Sequence, residues 1–492
     1  MAKRGNTMGQ IMIRKISHYE ISIESDRDLS EDFYFQLENM KYDYKEKSYV
    51  KEAVNSYYGR SVSPTKTIFG MGWLPYLYYH YYKELDQGSK DLYAEQFTGL
   101  TLSFDNLRRD QLDDFGQLLK FNRGIFPIYT GYGKTECTAT LINWIVNTRN
   151  EYIIVLTPND SSRKEVLDRV SDKFGIDATK FSYDSKFNCV NVNGFLRSKE
   201  FDPSSEYWRK ITWILSDEVE HCVTSKAINC IKLCTNVKYI YGMSATTDKK
   251  YADRIAILPA RNPMLGRNKT LIDYFGFATV YKKPKGQSIK MITVRSNQFR
   301  NVHIPDKLFE KGYAEVIKEI FYHREVKELI KKVSLMNKPM FIPLNRLEIL
   351  DNWRATAFSD PGVSLLILCG RSYEHYISGN LVASKLKLKE IKALITNQKI
   401  DVVLGTKTAF RAIDFHGMQN ILLLASNQAS TVVQCIGRVA RSVSYNIFQI
   451  ESLDWVPIYS LDFKKRKSLI KSYYEDCTIT EEIKTDNHFG LS

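Results

Sequence analysis

The segment Thr130-Gly131-Tyr132-Gly133-Lys134-Thr135 brings two glycines, a lysine and two threonine hydroxyls together in six residues. That set suits a polyphosphate. Glycines let backbone N–H groups turn toward anionic oxygens, a lysine reaches the outer phosphates, and the Thr135 hydroxyl can ligate Mg²⁺. The full pattern of this kind wants a glycine at position 128, where this chain has Ile128. Asp217 and Glu218 supply the complementary chemistry. One carboxylate can hold Mg²⁺ through water, and the other can orient and deprotonate an attacking water. Ser244-Ala245-Thr246 is a small-residue turn suited to coupling. Much later come Gln434, Gly437, Arg438 and Arg441. The two arginines, spaced i,i+3, share one helix face, and a guanidinium there can stabilise charge on a transferring γ-phosphoryl group. A simple kinase or GTPase needs no such distant segment. The residue types therefore point to ATP hydrolysis between two moving lobes.

Two series of short apolar runs would position these residues. The first comprises Ile125–Tyr129, Ile153–Thr157, Val190–Val192, Ile211–Leu215 and Tyr239–Met243. Amphipathic helices are expected between them, for example over Thr135–Asn147 and Ser162–Phe174. Such alternation predicts a parallel sheet covered on both faces, with ligands at the carboxyl ends of its strands. A second series comprises Met340–Leu344, Leu365–Cys369, Val402–Leu404, Ile421–Leu424 and Val456–Ser460. Between the two lies a basic, irregular stretch, read as linker plus accessory elements. The fold class is α/β: two parallel-sheet lobes and a small N-terminal α/β module. The expected boundaries are 1–95 for that module, 96–260 for the first lobe, 261–325 for the linker and 326–492 for the second lobe with a basic C-terminal segment. In the module, Tyr19–Ile23 alternates as a strand, while Ser30–Met40 and Leu74–Leu85 read as helices.

The chain has 492 residues and a formal net charge of +14. That balance suits a polyanion, nucleic acid before membrane. The run Lys464-Lys465-Arg466-Lys467 is a candidate phosphate contact, with a solvated helix face as the alternative. Eight cysteines show no disulfide or C-x-x-C spacing. Cys222, Cys230 and Cys234 near His221 raise the question of zinc, but buried free thiols in a reducing, cytoplasmic protein are the expectation. No apolar run approaches the ~20 residues of a membrane span.

With these motifs in order, the sequence resembles the superfamily 2 helicases and translocases, and among them the recombination helicases of phages. The resemblance covers about residues 100–475. It implies two RecA-like lobes with ATP and Mg²⁺ as cofactors. By this likeness Gln111 reads adenine; Thr130, Gly131, Gly133, Lys134 and Thr135 bind the phosphates; and Asp414 and Gln434 complete the nucleotide contacts. Thr157, Pro158, Asn193, Thr406 and Thr408 would grip the nucleic-acid backbone, and Ser244 and Thr246 would couple the two activities. Glu220 stands where the family has His, with His221 next to it, and Ala412 replaces a usual Gly. The implied activity is an ATP-dependent DNA helicase or translocase moving 3′ to 5′ on single-stranded and branched DNA, in recombination and repair. Other readings are an RNA helicase or transcript-release factor, a restriction-system motor, and a nucleic-acid-binding scaffold with a weak ATP site. The N-terminal module is expected to face DNA, and its Trp73 and Tyr78–Tyr82 to pack the core or stack on bases.

Overall fold

The computed structural model describes residues 10–29, 32–43, 48–57, 59–100, 104, 106–129, 131–244, 271–277, 284–344, 346–369, 372–397, 399–406, 417–424, 429–439, 444–454, 456 and 459–491. The chain forms two compact units. The first comprises Met1–Lys41, Lys51–Ile128 and Gly133–Lys282; the second comprises Tyr42–Val50, Tyr129–Tyr132 and Lys283–Ser492.

The first unit holds two larger sheets. Strands β1 (Ile11–Lys15), β2 (Glu20–Ser25), β5 (Arg60–Ser63) and β6 (Lys66–Gly70) form an antiparallel sheet in the order β1-β2-β6-β5. Alternation of buried Ile21 and Ile23 with polar neighbours builds β2, as its period-two pattern requires. Helices Leu74–Tyr81 and Gln87–Ala94 accompany this sheet. The helix expected over Ser30–Met40 is not found: Tyr34–Asp43 is strand β3, paired with β4 (Ser48–Tyr57). Leu37 and Met40 favour a helix locally, but the strand partner overrides that weak preference.

The second sheet of this unit is parallel. Strands β7 (Arg123–Pro127), β8 (Tyr152–Thr157), β9 (Phe187–Asn191), β10 (Ile211–Ser216) and β11 (Tyr239–Ser244) stand in the order β7-β11-β10-β8-β9. Sequences such as Tyr-Ile-Ile-Val-Leu-Thr in β8 are apolar on both faces because helices cover both. Ser244 at the end of β11 pairs with Pro127 at the end of β7, while Ser216 at the end of β10 pairs with Gly242 and Leu156, short of the ends of β11 and β8.

The N-terminal module is not packed apart from this parallel-sheet body. Its core of Ile21, Phe69, Trp73 and Leu77 also contains Ile272 and Phe277, while Leu271 and Phe275, from the same short segment, belong to the core of the parallel sheet. Trp73 Nε1 donates to Asp273 at 2.7 Å, and Tyr19 Oη donates to the carbonyls of Ile231 and Cys234 at 2.6 Å each. A Cβ on Gly72 would lie 1.7 Å from the Ile272 carbonyl, so only glycine permits this approach. Trp73 is thus a core residue.

The second unit carries a nine-stranded sheet in the order β16-β15-β14-β17-β13-β18-β19-β12-β20. Its strands are β12 (Ser288–Ser296), β13 (Met340–Leu344), β14 (Ser364–Leu368), β15 (Tyr373–Ile377), β16 (Asn380–Ser384), β17 (Val402–Thr406), β18 (Asn420–Leu423), β19 (Ser444–Ser452) and β20 (Thr478–Thr485). All pairings are parallel except β14–β15 and β15–β16. β12 lies in the stretch read as linker plus accessory elements, and it pairs along its whole length with β19. Of the strand expected over Val456–Ser460, Tyr459 and Ser460 instead begin the helix Tyr459–Tyr473, residues 457–458 lie outside the described residues, and β19 pairs beside β18. Among the described residues no helix is long and apolar enough to cross a membrane.

Candidate active site

The phosphate-type loop leaves β7 and is tied down at once: Ile128 N donates to the Ser244 carbonyl at 2.8 Å. Gly131 and Gly133 have φ of 99° and 100°, a conformation that residues with a Cβ avoid. A Cβ at Gly133 would stand 2.7 Å from Gln111 Nε2. Gln111 is itself buried on the helix Arg109–Leu118, where its Oε1 accepts the Arg108 N–H at 3.1 Å. The helix Lys134–Asn143 begins directly after Gly133, and no side chain caps its first turn. Uncapped N–H groups after two glycines form a cradle for an anion.

The carboxylates stand at the end of β10. Asp217 N donates to the Leu156 carbonyl at 3.0 Å, which fixes the backbone. Burial pushes the Asp217 carboxyl up to about 6; Lys134 opposes this, while Glu218 and Glu165 add to it. Glu218 has φ of 46°, a strained value for a residue with a side chain, and its own side chain is buried. The turn that follows is closed by His221 N donating to the Glu218 carbonyl at 2.8 Å. Glu220 and His221, at the position where the resemblance expects a single His, are both half-buried in this turn. Val219 seats the turn against β11: a Cβ on Gly242 would lie 2.6 Å from Val219 Cγ2 and 2.9 Å from its Cβ.

The Thr135 hydroxyl donates to Glu165 Oε1 at 3.0 Å. Sequence reading gave no role to Glu165. Its signal was available only as a position on the helix Asp160–Phe174, one turn after the loop that follows β8. The oxygen donors here are hard: a hydroxyl and a carboxylate whose ionisation is held back by burial. They fit Mg²⁺.

Other candidates are placed as follows. Ser244 is fully buried at the end of β11. The Thr157 side chain is also fully buried, its hydroxyl donating to the Val190 carbonyl at 3.0 Å, so it presents no side chain at the surface. The structure brings Pro158 and exposed Asn193 together: Asn193 Nδ2 donates to the Pro158 carbonyl at 3.3 Å. In the second unit, Thr406 ends β17, and Gln434 and Arg438 lie one turn apart on the helix Ala429–Val439. Thr406 Oγ1 and Gln434 Oε1 are buried without a hydrogen-bond partner among the described residues. Thr130, Thr246, Thr408, Ala412, Asp414 and Arg441 lie outside the described residues.

The basic run after this helix is not a uniform charged face. Arg466 is fully buried, its Nε donating to Gln449 Oε1 at 3.2 Å, and Lys467 pairs with Glu481 at 2.8 Å. Lys464 and Lys465 alone of the four are exposed. Cys222, Cys230 and Cys234 are buried free thiols, and burial pushes the Cys230 thiol up to about 12.

No protein-family model matches the sequence, and comparison with curated proteins finds no match. Among solved structures the chain is similar to the crystal structure of T4 UvsW, with 14% identity over 97% of this chain and 99% of that one and a TM-score of 0.36. It is similar to the helicase MrfA bound to DNA, with 15% identity over 76% of this chain, 50% of MrfA and a TM-score of 0.47. The Mycobacterium smegmatis helicase Lhr, bound to ssDNA and AMP-PNP, gives 12% identity over 76% of this chain, 49% of Lhr and a TM-score of 0.44. The chain spans about half the length of the last two.

Proposed function

We propose that this chain is a nucleic-acid-stimulated ATPase, a DNA helicase or translocase that moves 3′ to 5′ and acts on branched DNA in recombination and repair. One observation carries the ATPase reading. A glycine cradle opening at Lys134, the buried Ser244, and the Asp217-Glu218 pair all lie at the carboxyl ends of the neighbouring strands β7, β11 and β10. Ligands bind there in parallel sheets.

In this reading Lys134 meets the outer phosphates, and Gln111, packed against the loop at Gly133, offers its amide to adenine. Thr135 and Asp217 would hold Mg²⁺, Thr135 exchanging its contact with Glu165 for the metal. The ion supplies charge neutralisation at the phosphates when bound. Glu218 takes the proton of the attacking water. Arg438 and Arg441 stabilise charge on the γ-phosphoryl group, with Gln434 and Asp414 among the nucleotide contacts. Ser244 and Thr246 couple hydrolysis to the nucleic-acid contacts, which are assigned to the Thr157–Pro158 loop, Asn193, Thr406 and Thr408.

The test is ATPase activity with single-stranded DNA, duplex, fork, four-way junction and RNA as activators. Fork or junction should stimulate most, and stimulation by RNA alone would overturn the DNA assignment. Glu218→Gln should retain ATP binding and lose turnover by at least about a hundredfold, because an amide cannot accept the proton. Full turnover in that variant would reject the role of Glu218.

A further inference from the structure

The N-terminal module exposes an aromatic groove that the ATP site does not use. It lies between the helices Leu74–Tyr81 and Gln87–Ala94 and encloses about 790 Å³. Three large rings remain open in it: Tyr79 is 59% exposed, Tyr82 51% and Phe97 50%. They rest on a fixed aromatic floor. Tyr78 and Tyr93 stack at 3.9 Å with 16° between their planes, and Tyr93 Oη donates to Tyr79 Oη at 3.3 Å. Nearby, Trp73, Tyr76 and Tyr81 are buried and belong to the core. Three half-exposed rings in one groove form a patch of the kind that marks a binding surface.

The charges around the rings say what the patch suits. Lys83 and Lys90 line the groove, and Lys90 Nζ stands 5.1 Å from the centre of the Tyr82 ring. The acid in the lining, Glu84, lies 3.7 Å from Arg27, and Asp86 just beyond it is bound to Arg14 at 2.9 Å. Lysine is depleted from the centre of protein–protein interfaces, whereas ring faces beside cations are what unpaired bases and their phosphates require.

We propose that this groove binds single-stranded DNA, its bases stacking on Tyr79, Tyr82 and Phe97 and its phosphates meeting Lys83 and Lys90. The proposal rests on the motor reading above and adds to it a second contact, outside the parallel-sheet lobes. It selects unpaired DNA without reading sequence, because every base offers a face to stack.

The experiment uses the full chain and a fluorescein-labelled 15-mer of deoxythymidylate, followed by anisotropy without nucleotide. Combined Tyr79→Ala, Tyr82→Ala and Phe97→Ala should weaken binding about tenfold or more, whereas Tyr79→Phe with Tyr82→Phe should bind as wild type, since the rings persist. Lys83→Gln with Lys90→Gln should flatten the salt dependence. A triple alanine variant that binds the 15-mer within about twofold of wild type overturns the proposal and leaves a protein-docking patch. Should that variant fold poorly, crosslinking decides: a 5-iododeoxyuridine strand on the wild-type chain should form adducts at Tyr79, Tyr82 or Phe97, and adducts only elsewhere reject the groove. The two readings fail separately. DNA-stimulated ATPase with an unaffected triple variant keeps the motor and rejects the groove. Loss of 15-mer binding in the triple variant of a chain without ATPase keeps the groove and rejects the motor.

Discussion

Asp217 carries an energetic cost that the unliganded protein must bear. Its carboxyl titrates near 6, above the ordinary value of 3.8, chiefly through burial. A folded-state value above the unfolded one means that ionisation opposes folding. The cost is absent below pH 3.8, grows as pH rises to about 6, and is complete above that. Asp217→Asn should therefore stabilise the nucleotide-free protein at pH 7.5 by about 1–3 kcal/mol, with the gain fading as pH falls toward 4. Melting temperature against pH for the two proteins checks this, and a pH-independent difference would reject the assignment. The same asparagine should abolish Mg²⁺-dependent turnover. A gain in stability with a loss of function is what a carboxylate kept for a cation would give. The strained Glu218 beside it, at φ of 46°, points the same way.

Elements position these residues through a few contacts that tolerate little change. The turn after β10 is held by Val219 against Gly242 on β11, where a Cβ would stand 2.9 Å from the Val219 Cβ. That neighbour is the root of a side chain and cannot swing aside. Gly242→Ala should cost about 1–3 kcal/mol by overpacking and should displace the Asp217-Glu218 turn. Urea denaturation measures the first effect. A fall in turnover larger than the fall in ATP affinity measures the second, and unchanged turnover would show that the turn is seated by other contacts. The helix Tyr459–Tyr473 teaches the opposite caution. Its basic run suggests one charged face, but Arg466 points into the core and Lys467 is paired on Glu481. A salt-dependence test belongs to Lys464 and Lys465, because removing Arg466 would unseat a buried cation from its partners.

At the scale of the molecule, the N-terminal module and the segment Leu271–Phe277 share apolar cores with the parallel sheet. Removing residues 1–95 therefore does more than delete a surface. It uncovers Ile272 and Phe277 and strips the Tyr19 hydroxyl from the carbonyls of Ile231 and Cys234, each worth about 1–3 kcal/mol if left buried and unsatisfied. The truncated chain should be aggregated or should melt well below the full chain, as read by size-exclusion chromatography and thermal unfolding. A monomeric truncation that melts at the wild-type temperature would show the module to be dispensable. Point changes in the aromatic groove are consequently the sound way to ask what the module binds.

Much of the candidate site was legible in the sequence. Gly131, Gly133 and Lys134 follow a short apolar run, and Asp217-Glu218 follow another; both runs are buried parallel strands, whereas the similar run at Val456–Ser460 leads into a helix, because pattern alone does not separate the two. The carboxyl end of a buried parallel strand is where ligands bind, so residue type and local pattern pointed to the site. Other features depend on who packs against whom, and local pattern does not report that. β12 hides in a basic stretch and gains its place only by pairing with β19 and β20. Tyr34–Asp43 becomes a strand because a partner strand is available. Glu165 reaches Thr135 because two helices distant in sequence stand side by side, and Arg466 is buried because the Gln449 side chain waits inside the sheet. Sorting Trp73 into the core and Tyr79 onto the surface needed the same information: burial is a sum over distant neighbours, and the three-dimensional fold alone performs that sum.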